Sequence, residues 1–144
     1  MLTVTPRTAT LLNIVTAQLP LGHVREIDTT GGKFSSLFVV PVSERTFQVA
    51  QFTVHGDEML GDPAIEFFKL STGEWTPMCL TRVIRDMPVR HELNDQLSQS
   101  KIRRTLRFFI FFADKWLGET VVGQQGGLLA IRRAVDRNPS AYQH

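Results

Sequence analysis

The sequence predicts an α+β domain: an N-terminal helix, a four- or five-stranded antiparallel sheet, a long aromatic helix packed on the sheet, and a short C-terminal helix. Three observations carry this expectation. Apolar residues recur at helical spacing at the start of the chain, the period changes to two from Val24 to Leu80, and helical spacing returns after Asn94. With 144 residues, 42% of them hydrophobic and 21% charged, the chain can build one core. A single domain over residues 1–144 is therefore expected, with 138–144 as a frayed tail.

Each element has its own signal. Thr5-Pro6 places a capping hydroxyl before a proline at the first helical position, and Ala9, Leu12, Val15 and Leu19 follow at helical spacing until Pro20. HVREIDT and KFSSLFVVPV read as two strands, with Phe34, Phe38, Val40 and Val42 as one alternating set. In RTFQVAQFTVH the apolar phase slips across Ala50-Gln51, so a bulge is expected that returns Phe52 and Val54 to the face of Phe47 and Val49. PAIEFFKL and TPMCLTRVI form a further hairpin around Gly73.

Asn94 or Asp95 can cap a helix that runs to Leu117 and stops at Gly118. At about 100° per residue its apolar side chains, Phe108 among them, cover an arc of about 200°, wider than a simple amphipathic stripe. GQQGG is then a connector, and LLAIRRAVDR reads as the short last helix.

Charge is segregated along the chain. Residues 1–80 carry 5 basic and 8 acidic side chains, a balance of −3, whereas residues 81–144 carry 11 and 6, a balance of +5. A basic half attracts phosphates or acidic proteins. The single cysteine, Cys79, has no internal disulfide partner and sits among apolar residues, as a buried thiol of a reducing compartment would. No basic leader with an apolar core opens the chain and no apolar run approaches membrane-spanning length, so a cytoplasmic protein without a membrane partner is expected.

TVHGDEMLGDPAIEFF gathers His55, Asp57, Asp62 and Glu66, ligand types that suit a divalent metal or a carboxylate pair for acid and base work. Their spacing matches neither a calcium loop nor a two-histidine zinc helix, and an inter-strand loop with Gly56 and Gly61 at its bends accounts for the same residues. Glu66 and Lys69, three apart, would face opposite sides of a strand, which speaks against a metal-nuclease arrangement. No nucleophile elbow, phosphate loop or dinucleotide fingerprint is present, so no catalytic residue and no cofactor are expected.

On the long helix, Arg103, Arg107 and Arg104 project at about 100°, 140° and 200° from Ile102, opposite the apolar arc, with Phe111 among them at about 180°. A phenylalanine ringed by guanidinium groups suits an anchor on a partner protein or stacking on single-stranded nucleic acid. Arg132 and Arg133 repeat the basic character on the last helix, and Arg82, Arg85, Arg90 and His91 extend it.

HGDEMLGDPAIEFF and GEWTP resemble the centre of a family of small uncharacterised proteins from bacterial chromosomes, plasmids and phages, with an N-G-D-x-M-x-D-P-E-M-x-F motif and a G-x-W-x-P turn. Gly56, Asp57, Met59, Asp62, Pro63, Glu66, Phe67, Trp75 and Pro77 fit the pattern. His55 replaces its asparagine, Gly61 is an extra residue, and Ala64 stands where a glutamate is expected. The resemblance spans about residues 34–117 and implies an α+β fold associated with mobile elements, with no established activity.

Together these readings favour a non-enzymatic binding protein of a mobile element, an anti-defence inhibitor of the anti-CRISPR type that docks on a host protein or nucleoprotein complex. The alternatives are a metal-dependent enzyme built on His55, Asp57, Asp62 and Glu66, and a nucleic-acid-binding protein using the basic helix.

Overall fold

The computed structural model describes residues 2–28, 35–94, 96–124 and 135–137, with His55 and the last three described in backbone only. Helix α1 (Pro6–Thr16) leads into six consecutive antiparallel strands. These are β1 (Val24–Ile27), β2 (Leu37–Pro41), β3 (Thr46–His55), β4 (Glu58–Lys69), β5 (Trp75–Ile84) and β6 (Met87–Glu92). Helix α2 (Gln99–Lys115) follows, and a three-residue strand β7 (Val135–Arg137) joins the sheet beside β1. The sheet order is β6-β5-β4-β3-β2-β1-β7, so every hairpin pairs neighbours in sequence.

The α+β class stands, with two changes to its elements. β6 extends the expected sheet: its polar, largely exposed sequence carries no period-two signal, and it exists by pairing with β5 from Ile84↔Met87 to Cys79↔Glu92. The expected last helix is not helical at Val135–Arg137, which pairs antiparallel with Val24–Glu26, and residues 128–134 lie outside the described part of the chain.

Both helices pack on one face of the sheet. α1 begins where the sequence places it, with Thr5 as N-cap and Pro6 in the first turn, but the Thr5 hydroxyl makes no capping bond and donates to Asp114 instead; the helix buries Thr8, Leu11, Leu12, Val15 and Thr16. Against these sit Leu37, Val39, Val49, Ile65, Phe67, Trp75 and Leu80 from alternate positions of the strands. Burying side chains such as Phe67 and Trp75, both wholly inaccessible, contributes about 2–3 kcal/mol each. The indole N–H groups are satisfied inside this core: Trp75 Nε1 donates to Asn13 Oδ1 at 2.9 Å, and Trp116 Nε1 to Gln51 Oε1 at 3.0 Å.

Packing decides which face of each strand turns inward, and on β3 the outcome differs from expectation. Leu37 and Val39 face the helices, while Phe38 and Val40 are half-buried on the other side and Val42 is exposed. The β3–β4 register does shift near Gln51, but the extra residue lies on β4: Ala50 pairs with Ala64 and Phe52 with Gly61. β3 keeps its alternation, so Gln51 joins Phe47 and Val49 in the interior, and Phe52 meets Phe38 edge-on at 5.1 Å on the opposite face. Val54 is exposed.

Helix α2 also starts and ends differently. Its cap is Ser98, whose side chain accepts from Lys101 N, whereas Asn94 makes a local turn by accepting from Gln96 N. The helix does not stop at Gly118. It continues through a π-helical stretch (Trp116–Val121) and a last turn (Val122–Gln124). Gly118 is buried because α1 comes close: a Cβ there would lie 3.2 Å from Thr8 Oγ1.

Candidate functional site

The exposed face of α2 carries Lys101, Arg103, Arg104, Arg107, Phe108, Phe111 and Lys115. These residues recur at three- and four-residue intervals, so they form one strip along the helix, with Phe111 near its centre. Phe111 is 62% exposed, and Lys115 Nζ lies 5.7 Å from its ring centroid. Arg103, Arg104, Arg107 and Phe111 thus share one surface, as their spacing predicts. Arg132 and Arg133 lie outside the described residues.

Two residues widen the strip. Phe108, assigned by spacing to the apolar arc, is 55% exposed. The reason is geometric: an arc of about 200° is wider than one sheet face can cover, and only Leu106, Phe109 and Ala113 of this helix are fully buried. Phe108 lies beside Phe112, with ring centroids 6.5 Å apart, and Phe112 is in turn covered by the Arg82 guanidinium at 4.8 Å. Lys115 is one turn beyond Phe111 and was legible from helical spacing alone.

The electrostatics of this strip follow from where the carboxylates go. The one acidic residue in α2, Asp114, turns toward α1, where Oδ1 accepts from Thr8 Oγ1 at 2.6 Å, Thr5 Oγ1 at 2.9 Å and Thr5 N at 3.2 Å. It therefore caps the neighbouring helix and leaves the strip wholly cationic. Among the described residues, none of the five cations forms an ion pair. Arg82 and Arg90 behave differently: Arg82 binds Asp62 at 2.7 Å, and Arg90 binds Glu66 at 3.4 Å and also Glu92. The basic character of the β5–β6 region is thus partly neutralised locally. Arg85 occupies the hairpin turn.

The acidic stretch is a hairpin, not an inter-strand loop. β3 and β4 pair up to His55↔Glu58, with Gly56 at φ 63° in a two-residue turn. Asp57 is exposed in that turn. Asp62 reaches Arg82 on the helix side of the sheet, while Glu66 lies opposite Cys79 and reaches Arg90 on the other side. Strand geometry therefore separates these two carboxylates, and among the described residues no group of three or more His, Cys, Asp or Glu could hold a metal ion. The His55 side chain lies outside the described part.

Cys79 is buried, and its thiol is pushed up to about 11, chiefly by burial, against the opposing pull of the Arg90 charge. It is neutral and unreactive near pH 7. No helix among the described residues is long and apolar enough to cross a membrane. Comparison with protein-family models, curated proteins and solved structures finds no match to this chain.

Proposed function

We propose that this protein is a non-enzymatic binding protein that docks on an acidic surface of a partner protein or nucleoprotein complex through the exposed face of α2. The observation that carries the reading is the strip itself: five cations without carboxylate partners among the described residues and two exposed phenylalanines, all on one helix. Arginine and aromatic side chains supply most of the energy at protein interfaces, and a concentrated positive field speeds encounter with an acidic partner. A helix held by a buried indole bond to Gln51 and by the Asp114 cap presents these groups in fixed positions, which lowers the entropy lost on binding.

On the resemblance of the β3–β5 motif, the setting is a mobile element and the role is stoichiometric inhibition of a host defence complex, as an anti-CRISPR protein acts. The test is co-purification with interacting proteins from the native host, comparing the unaltered protein with a Phe111→Ala, Arg104→Glu double variant. Loss of a specific partner with an unchanged melting temperature supports the reading. A partner retained in full by the double variant removes α2 as the docking face.

A further inference from the structure

Beside the strip, the first two turns of α2 form one wall of a groove of about 470 Å³, lined by Leu2, Gln99, Ile102, Arg103, Leu106 and Arg107. Its floor is aliphatic: Leu106 is buried, Ile102 half-buried and Leu2 39% exposed. Its polar groups include Arg103 and Arg107, one turn apart on the same flank of the helix, both exposed. The N-terminal segment is held in place beside the sheet by Val4 N donating to Trp75 O at 2.9 Å and by Thr3 Oγ1 donating to Glu74 Oε2 at 3.1 Å. Leu2 therefore extends from an anchored segment.

We infer that this groove receives an acidic amphipathic helix of the partner protein, its apolar side chains seated on Leu2, Ile102 and Leu106 and its carboxylates paired with Arg103 and Arg107. The inference rests on the docking reading above and names the chemistry of the partner. Charge complementarity selects the occupant: the two guanidinium groups need carboxylate or phosphate oxygens, and the aliphatic floor beside them needs apolar side chains at one-turn spacing. A single-stranded nucleic acid fits less well. Its bases stack on flat aromatic rings, whereas this floor is aliphatic and concave and Lys115 already approaches the Phe111 ring. The next turns of such a helix would run along the strip toward Phe111.

The experiment measures binding of three labelled probes by fluorescence anisotropy, using the full chain. The probes are an amphipathic Leu/Glu helix of about 18 residues, polyglutamate of equal length, and an oligothymidylate of about 20 nucleotides. The amphipathic helix is expected to bind at least about tenfold tighter than polyglutamate. Arg103→Ala with Arg107→Ala should weaken it about tenfold, the factor for two partly screened ion pairs. Leu2→Ser, at a half-exposed position that leaves the core intact, should weaken it about threefold.

Equal binding of polyglutamate and the amphipathic helix, unaffected by groove substitutions but lost in Phe111→Ala, Arg104→Glu, overturns the groove while the docking face stands. Tighter binding of oligothymidylate, with a steep loss of affinity on adding salt, overturns the inference in favour of nucleic acid. Binding of no probe at about 1 mM overturns it as well, while the fate of the docking face is read separately from co-purification.

Discussion

Replacing Asp114 by alanine tests the contact that both anchors α2 on α1 and clears the binding face of negative charge. Three donors converge on its Oδ1, and one of them, the Thr8 hydroxyl, belongs to a wholly buried residue. A hydrogen bond from a buried hydroxyl to a charged acceptor contributes about 1.5–2 kcal/mol, and the two bonds from exposed Thr5 about 0.5 kcal/mol together. The negative charge near the α1 N-terminus adds about 0.5 kcal/mol. Asp114→Ala should therefore cost about 2.5–3 kcal/mol, which for a domain of this size lowers Tm by about 8–10 °C. Asp114→Asn keeps an oxygen acceptor and should cost about 1 kcal/mol. Urea unfolding followed by circular dichroism measures both. A double-mutant cycle with Thr8→Val should return a coupling of about 1.5–2 kcal/mol, the contribution of that bond. A loss below about 1 kcal/mol for the alanine variant, with no coupling to Thr8, would refute the interhelical cap.

Three further outcomes are expected. Gln51 accepts from the Trp116 indole and donates to Gln124 Oε1 and Ser35 O, so Gln51→Leu leaves a buried indole N–H unpaired and should cost about 2–3 kcal/mol in urea unfolding. Folded Cys79 should resist a thiol reagent at pH 8 and react on denaturation. Because burial raises its folded pKa from 9.0 to about 11, the native state holds that proton where the unfolded chain releases it. Its contribution is whole below pH 9 and is lost between pH 9 and 11, by up to about 3 kcal/mol, and Cys79→Ala should flatten that alkaline limb. Arg85 and Asp86 both hold positive φ in the β5–β6 turn. Asparagine suits that conformation better than arginine, so Arg85→Asn, which keeps Asp86 in place, should raise stability by about 0.5 kcal/mol in the same unfolding measurement.

The parts of the fold that were legible in the sequence are those in which local and global preferences agree. Thr5-Pro6 followed by apolar residues at helical spacing announces α1, and β1 to β5 each carry enough apolar residues to announce a strand. Arg103, Arg104, Arg107 and Phe111 fall on one exposed face of α2 because helix geometry alone fixes angular position. β6 was silent because its sequence is polar and its pairing is supplied by β5. Phe38 and Val40 share a face as their alternation requires, but LFVV is apolar on both faces, and only packing against α1 decides that Leu37 and Val39 turn inward.

Glycine and acidic residues show the same division. Gly118 reads as a helix stop by itself, but in the structure it is the place where α1 and the π-helical stretch approach closely enough that a Cβ would crowd the Thr8 hydroxyl at 3.2 Å. Asp62 and Glu66 lie four apart in the chain, yet the shifted register of β4 and the pleat of the sheet send them to different arginines on different faces. The sequence by itself determined the class of fold, the helical strip of arginines around Phe111 and the absence of a recognised catalytic motif, because these depend on periodicity and residue type. Tertiary structure decided that Asp114 leaves that strip, that Phe108 joins it and that Leu2 completes a groove beside it. Those outcomes depend on contacts between segments as many as 109 positions apart in the chain, and no local pattern encodes which distant partner a side chain will meet.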